Sequence, residues 1–127
     1  VLVPNLPDIG ITPALRAAGP TAAAEARRRS LAYGDALTLV LDRVEDRYPD
    51  MAILRLDVHG LAERVLADPG AAGFRDVIDP CQSRPSCESA LFWDPIHPST
   101  YAHARLAAAA SILIETAFLL KIPGQSR

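Results

Sequence analysis

The chain has 127 residues, of which 50% are apolar and 22% are charged, and its net charge is −2. This composition can build the core of one domain, or of a large part of one, and excludes a disordered chain. The small negative charge gives no case for nucleic acid or an anionic membrane surface as a partner. The longest run of apolar or small residues, 106–114, is shorter than a membrane span, so no transmembrane segment is predicted.

A short strand and a turn-rich loop are predicted at the start of the chain. Residues 1–6 are mostly apolar, and this strand should end near Pro4 because proline cannot donate a ladder hydrogen bond. The loop over residues 7–13 combines turn-forming and apolar residues. We interpret it either as a connector or as a wall of a substrate cleft, with Pro7 and Ile9 as the candidate wall residues.

Hydrophobic periodicity predicts three helices and a second strand along the rest of the chain. Thr21 is the expected N-cap of the long first helix, and Ser99 or Thr100 is the expected N-cap of the last helix. The segment between the second and third helices, residues 70–91, is expected to be irregular. The predicted bounds are 21–47 for the long helix, 51–57 for the strand, 61–66 for the short helix and 100–120 for the last helix.

Apolar side chains at helical spacing indicate which helix faces are buried. On the long helix the expected stripe is Leu37, Val40, Leu41 and Val44. Phe74, Val77 and Ile78 are expected to pin the irregular segment to the core. The expected stripe of the last helix is Ala102, Leu106, Ala109, Leu113, Ala117 and Leu120.

The order of these elements predicts an α/β chain with a parallel pair of strands. Two strands do not make a stable parallel sheet, because both faces and both edges need covering. We therefore expect more chain to precede this sequence in the natural protein. Its first residue is Val1, inside an apolar run, which points the same way.

The segment with the most chemical content is FWDPIHP, residues 92–98. Pro95 and Pro98 hold its backbone out of a helix, while Asp94 lies three residues before His97. A carboxylate that accepts a hydrogen bond from one imidazole nitrogen leaves the other nitrogen able to take a proton. The sequence therefore predicts His97 as a general base and Asp94 as the acid that orients it.

Two cysteines, Cys81 and Cys87, lie in the irregular segment. Their spacing fits neither a CxxC redox motif nor a zinc knuckle. We interpret them as a small local disulfide in preference to two free thiols. A disulfide would indicate an oxidising compartment and would fix the approach to Asp94 and His97.

Several stretches together resemble the C-terminal half of SGNH hydrolases, the GDSL esterase and lipase family, and especially its bacterial phospholipase/haemolysin and autotransporter-esterase members. The most specific is the FWDPIHP segment, and His103 follows inside the last helix. The others are VPNLPDIGITP at residues 3–13, LDV at residues 56–58, ADPGAAGF at residues 67–74 and the cysteine pair.

The resemblance implies a three-layer α/β/α flavodoxin-like fold, of which residues 1–127 are the C-terminal portion of one domain. It implies hydrolysis of an ester or lipid substrate by a Ser-His-Asp triad, with Asp94 and His97 as acid and base and no metal or cofactor. Trp93 is a further candidate for the cleft wall. The family's serine, glycine and asparagine blocks are absent, so the N-terminal part of the same domain is needed and this chain alone is expected to be inactive. The family and the cysteines together imply a secreted, periplasmic or cell-surface protein.

Two other classes of function remain open. A catalytically dead fragment or relative that serves as a binding or structural module fits the missing nucleophile equally well. A metal site built from Asp94, His97, His59 and His103 is the third class, although a DxxH turn without further acidic residues nearby makes it the least favoured.

Overall fold

A computed structural model of the chain describes residues 1–120. The described part combines four α-helices with a two-stranded sheet, and one turn of 3-10 helix covers Ile9–Ile11. The strands are β1 (Leu2–Pro4) and β2 (Leu54–Leu56), and the helices are α1 (Pro13–Ala17), α2 (Pro20–Arg47), α3 (Val58–Ala67) and α4 (Thr100–Leu120).

The two strands are parallel and in register, with Leu2 opposite Leu54 and Pro4 opposite Leu56. This confirms the prediction of an α/β chain with parallel strands. The second strand is shorter than the predicted 51–57, because the chain is still turning at Met51, whose N–H donates to the carbonyl of Tyr48. The first segments after β1 also differ from the predicted loop, since they contain a 3-10 turn and the short helix α1.

Helix α2 begins at Pro20 rather than at a Thr21 cap, so that N-cap prediction is wrong. Gly19 precedes the helix with φ of 104°, a conformation that favours glycine, and Pro20 provides a preset φ for the first turn. Leu41 lies on the inner face as predicted, but Val40 is 52% exposed and does not. The inner face contains Ala26 and Ser30 instead, so small residues let α2 approach the 3-10 turn closely.

Helix α3 starts three residues earlier than the predicted residue 61, at Val58. The cause is Asp57, whose carboxylate accepts a hydrogen bond from the Gly60 N–H at 2.9 Å and caps the helix directly after β2. Chain reversal at the end of the strand therefore needs no separate loop. His59 lies in the first turn of this helix.

Helix α4 confirms the predicted Ser99 cap, because the Ala102 N–H donates to Ser99 Oγ at 3.1 Å. The predicted stripe forms the least exposed face of the helix, except that Leu120 is 83% exposed. Among residues 1–120, α4 alone is both long and apolar enough to cross a membrane, with a mean hydropathy of 1.4. Core helices of soluble proteins also have this length and composition, but they are mostly buried, whereas none of the apolar window of α4 is buried among the described residues.

The segment between α3 and α4 is irregular, as predicted, and carries much of the core. Phe74 is 4% exposed and packs edge-on against Tyr101, with ring centres 5.2 Å apart. Ile78 is 49% exposed, so its predicted role as a core anchor is wrong. The buried side chains around this segment are Leu56, Phe74, Cys81, Ala90, Phe92 and Ala102.

Candidate active site

Residues 92–98 fold into a tight antiparallel turn that presents its centre to solvent. Phe92 and Pro98 form an antiparallel bridge at its base, and the Trp93 N–H donates to the His97 carbonyl at 2.9 Å. Phe92 is buried beneath the turn, whereas Trp93 is 51% exposed. The prolines keep the intervening backbone from becoming helical, so Asp94 and His97 meet across the turn.

Asp94 is the centre of a dense set of hydrogen bonds inside this turn. Its Oδ1 accepts the backbone N–H groups of Ile96 at 2.7 Å and His97 at 2.6 Å. Its Oδ2 lies 2.7 Å from His97 Nδ1. One carboxylate thus fixes both the backbone of the turn and the orientation of the imidazole.

These donors lower the pKa of Asp94 from 3.8 to about 2. The largest cause is the backbone N–H of His97, followed by its side chain and the backbone N–H of Ile96. Asp94 is therefore an anion at all physiological pH values. An anion at this place requires a hydrogen on Nδ1, which leaves the Nε2 lone pair of a neutral imidazole as the proton acceptor.

The His97 side chain is 65% exposed, whereas that of Asp94 is 19% exposed. Within residues 1–120, no hydrogen bond is formed to His97 Nε2, the nitrogen that does not contact Asp94. The imidazole is thus held by Asp94 at Nδ1 while most of its side chain is exposed to solvent.

Backbone contacts from two neighbouring segments support the turn. The Cys81 N–H lies 3.1 Å from the carbonyls of both Phe92 and Trp93, and the Gln82 N–H donates to Trp93 at 2.8 Å. From the other side, the Ala14 N–H in α1 donates to the Pro95 carbonyl at 2.9 Å. The turn is thus held at its base and at its tip.

Cys81 and Cys87 are joined by a disulfide in the structure, with Cα atoms 5.2 Å apart. Cys81 is fully buried, and its backbone N–H is the one that supports Phe92 and Trp93. The bond therefore closes a small loop directly behind the candidate site. This is the position that the sequence suggested for it.

An apolar cleft of about 250 Å³ lies next to the turn. Pro7 and Ile9, the two candidate wall residues of the first loop, both line it, and so do Ile96 and Pro98 on either side of His97. Trp93 is not one of the described residues that line it. Phe92 lines the cleft from beneath the turn.

The serines of the described chain do not supply a partner for His97. Ser99 Oγ donates to Ala90 and accepts from Ala102, and Ser30 Oγ donates to Ala26 and accepts from Ile9. Ser86 Oγ accepts from Glu88 in the disulfide loop. Among the hydrogen bonds of residues 1–120, none joins a serine hydroxyl to the imidazole. Ser126 lies outside the described residues.

Two polar clusters, of which the first includes the cleft residue Asp8, could not be derived from sequence spacing. Asp8, 5% exposed, accepts from the Gly10 N–H and pairs with Arg27, which also contacts Glu63.

The second cluster links the ends of both strands. Asn5 donates to Asp57 at 2.9 Å and accepts the His59 N–H at 3.0 Å. The N–H of Gly60 and the amide of Asn5 lower the pKa of Asp57. The only signal in the sequence was that Asn5 and Asp57 each directly follow a strand.

The histidines considered for a metal site do not gather around Asp94 and His97. His59 Nε2 lies 3.5 Å from Glu63 of the same helix, and His103 lies on α4. Within residues 1–120 there is no group of three or more His, Cys, Asp or Glu side chains placed to hold a metal ion.

Comparison with known protein families found no match to this chain, and a search among curated proteins found no relative.

Proposed function

We propose that this chain supplies the general base and the orienting acid of a serine carboxylic-ester hydrolase of the SGNH type. The observation that carries the proposal is the Asp94 Oδ2–His97 Nδ1 contact of 2.7 Å, combined with an exposed Nε2. The anionic Asp94 fixes the tautomer that a general base needs. The cleft beside the pair gives an ester a place to bind.

The chemistry follows from the positions of the two nitrogens. Nε2 takes the proton of a serine hydroxyl as the serine oxygen attacks the ester carbonyl, and Asp94 stabilises the imidazolium that forms. The imidazolium returns the proton to the leaving alkoxide, which departs as an alcohol and leaves an acyl-serine. Nε2 then takes a proton from water as the water attacks, and the proton returns to the serine when the acid leaves.

The proposal places the serine outside residues 1–120, on the N-terminal part of the same domain. Two features of the described residues support this placement. The parallel sheet has only two strands, and α4 exposes apolar side chains. Further strands beside β1 and under α4 would complete a three-layer α/β/α domain. The disulfide behind the turn is compatible with a location outside the cytoplasm.

The test is hydrolysis of a p-nitrophenyl ester by the protein as expressed from its own gene. His97→Gln should reduce kcat by about 1,000-fold or more, since it removes the base while keeping a polar side chain. His59→Gln, which changes a histidine on α3 away from the turn, is the matched control and should stay within about twofold of the parent. Near-normal turnover in His97→Gln would overturn the triad.

A second experiment distinguishes an enzyme from a binding module. The binding module is favoured by the fact that no serine of the described residues is hydrogen-bonded to His97. A fluorophosphonate probe should label the protein expressed from its own gene at one serine, and His97→Gln should slow the labelling. The chain of 127 residues alone should not be labelled. If the protein expressed from its own gene shows neither labelling nor turnover, the proposed function becomes that of a catalytically inactive binding module.

A further inference from the structure

We propose that the Cys81–Cys87 disulfide is a redox switch for the candidate site, which makes the oxidised protein turn over its substrate faster than the reduced protein. The reaction partner is a dithiol, which becomes a disulfide as the bond between the two cysteines is reduced. This inference rests on the proposed function, because it names a regulation of the same site.

The backbone of Cys81 is connected to that of His97 through a single residue, Trp93. The N–H groups of Cys81 and Gln82 both contact the Trp93 carbonyl, at 3.1 Å and 2.8 Å. The Trp93 N–H in turn donates to the His97 carbonyl at 2.9 Å. Any restraint that orders residues 81 and 82 therefore also orders the turn that carries the imidazole.

The stretch between the two cysteines has little support apart from the disulfide. Residues 82–86 are all exposed. Within the described chain, Arg84 links this stretch to a neighbouring segment through an ion pair with Asp76 at 2.6 Å. The Arg84 side chain is 38% exposed, and ion pairs so open to water contribute little order. The covalent bond is therefore the strongest restraint that joins Cys87 to residues 81 and 82.

The two sulfur atoms differ in their access to a reagent. Cys81 is fully buried, whereas Cys87 is half-buried, so a thiolate of the dithiol attacks Cys87 Sγ. A mixed disulfide forms there as the bond to Cys81 breaks, and Cys81 leaves as a thiolate. The second thiolate of the reagent then attacks its own sulfur in the mixed disulfide and releases Cys87. Two electrons pass to the cysteines, and the two thiol protons of the reagent reach Cys81 and Cys87 through water.

Reduction should loosen the turn and leave the rest of the protein folded. A buried Cys81 thiol still fills its place in the core as a small apolar group. None of the described residues that line the cleft lies between residues 81 and 87. Substrate binding should therefore persist, while fewer molecules hold the imidazole in its reactive orientation. We expect kcat to fall about tenfold and KM to change less than about twofold.

The test compares p-nitrophenyl ester hydrolysis by the oxidised and reduced forms of the protein expressed from its own gene. Dithiothreitol is the reductant, and it is removed by gel filtration without air, because free thiols cleave the ester. Oxidised glutathione then restores the disulfide in a portion of the same sample. Turnover should fall on reduction and recover on oxidation. Equal kcat values in the two forms would overturn the switch.

Two variants assign the effect to this disulfide. The double change Cys81→Ala with Cys87→Ala should show the lower kcat and no response to dithiothreitol. Cys87→Ser keeps the buried sulfur of Cys81, so it guards against a packing defect in the double variant and should behave in the same way. A response to dithiothreitol in the double variant, or full turnover in Cys87→Ser, would contradict the assignment.

Hydrogen exchange separates this inference from the proposed function. Reduction should speed exchange of the Trp93 amide by about tenfold or more, while the amide of Leu41, buried in α2, stays unchanged. His97-dependent hydrolysis that ignores the redox state would leave the esterase and overturn the switch. Faster Trp93 exchange without any His97-dependent hydrolysis would overturn the esterase and the control of turnover, and would leave a disulfide that only orders the turn.

Discussion

The two ends of helix α4 have opposite kinds of support. At the beginning, Ser99 caps the helix, Tyr101 donates to the Gly73 carbonyl at 2.8 Å and Arg105 donates to Ala72 at 2.9 Å. At the end, Phe118 is 70% exposed and Leu120 is 83% exposed. One helix is thus anchored by specific polar contacts beside the candidate site and left apolar and uncovered far from it.

The difference separates two sources of order in this chain. The site region depends on short-range hydrogen bonds and a covalent link within residues 72–105, together with the Ala14 N–H of α1 that donates to the Pro95 carbonyl. The distal end of α4 depends on burial, which the described residues do not provide. Geometry at the site can therefore be well defined although the surrounding core is small.

Loss of the disulfide should have the largest effect on stability in this comparison. Reduction, or the double change Cys81→Ala with Cys87→Ala, should lower the free energy of unfolding by about 2 kcal/mol, since the closed loop is short. The measurement is urea unfolding with and without reductant. The double variant is the control, because reductant should not affect it. An unchanged unfolding midpoint on reduction would show that the backbone contacts suffice alone.

Ser99→Ala should lower the free energy of unfolding by about 1.5 kcal/mol. The change removes the helix cap and leaves the buried Ala90 carbonyl without the hydroxyl that donates to it at 2.5 Å. Ser111→Ala, at an exposed position of the same helix, is the control and should stay within about 0.5 kcal/mol. Equal effects of the two changes on the free energy of unfolding would contradict the claim that polar contacts anchor the beginning of α4 more firmly than the rest of the helix.

Acid should loosen the turn at an unusually low pH. Because the pKa of Asp94 is lowered from 3.8 to about 2, its stabilisation is complete above the ordinary value and is lost as pH falls through about 2. Fluorescence of Trp93, the single tryptophan, should report a transition near that lower value. Asp94→Asn should abolish the transition. A midpoint near 4 would mean that the carboxylate lacks these hydrogen bonds in solution.

Phe118→Ser should have the smallest effect. In the chain of 127 residues it should change the free energy of unfolding by less than about 0.5 kcal/mol, because the ring is mostly exposed. Self-association measured by sedimentation should decrease, since the exposed apolar surface becomes smaller. A loss of more than about 2 kcal/mol would show that this end of α4 is packed after all.

Local spacing made the candidate site predictable from the sequence. Asp94 and His97 lie three residues apart between prolines, so few backbone paths are open to them, and the structure brings them together at hydrogen-bond distance. The bounds of α2 and α4 followed from hydrophobic periodicity to within one residue. The catalytic roles of Asp94 and His97 stay a prediction.

Tertiary context decided what the sequence did not. Val40 fits the apolar stripe of α2 by spacing, yet it is 52% exposed, because no described segment covers that side of the helix. The Asp8–Arg27 pair joins residues that no local pattern connects. The N-cap of α2 is Gly19 because the backbone there has a positive φ, which the sequence does not reveal. Thr21, two positions later, is the residue that the sequence favoured as the cap.

The carboxylate that orients His97 also holds the backbone N–H groups of residues 96 and 97. Asp94 and His97 consequently belong to one hydrogen-bonded unit. The conformational entropy lost in aligning the two side chains is lost once, when the turn folds. The residues that align the pair all lie within seven consecutive positions, FWDPIHP.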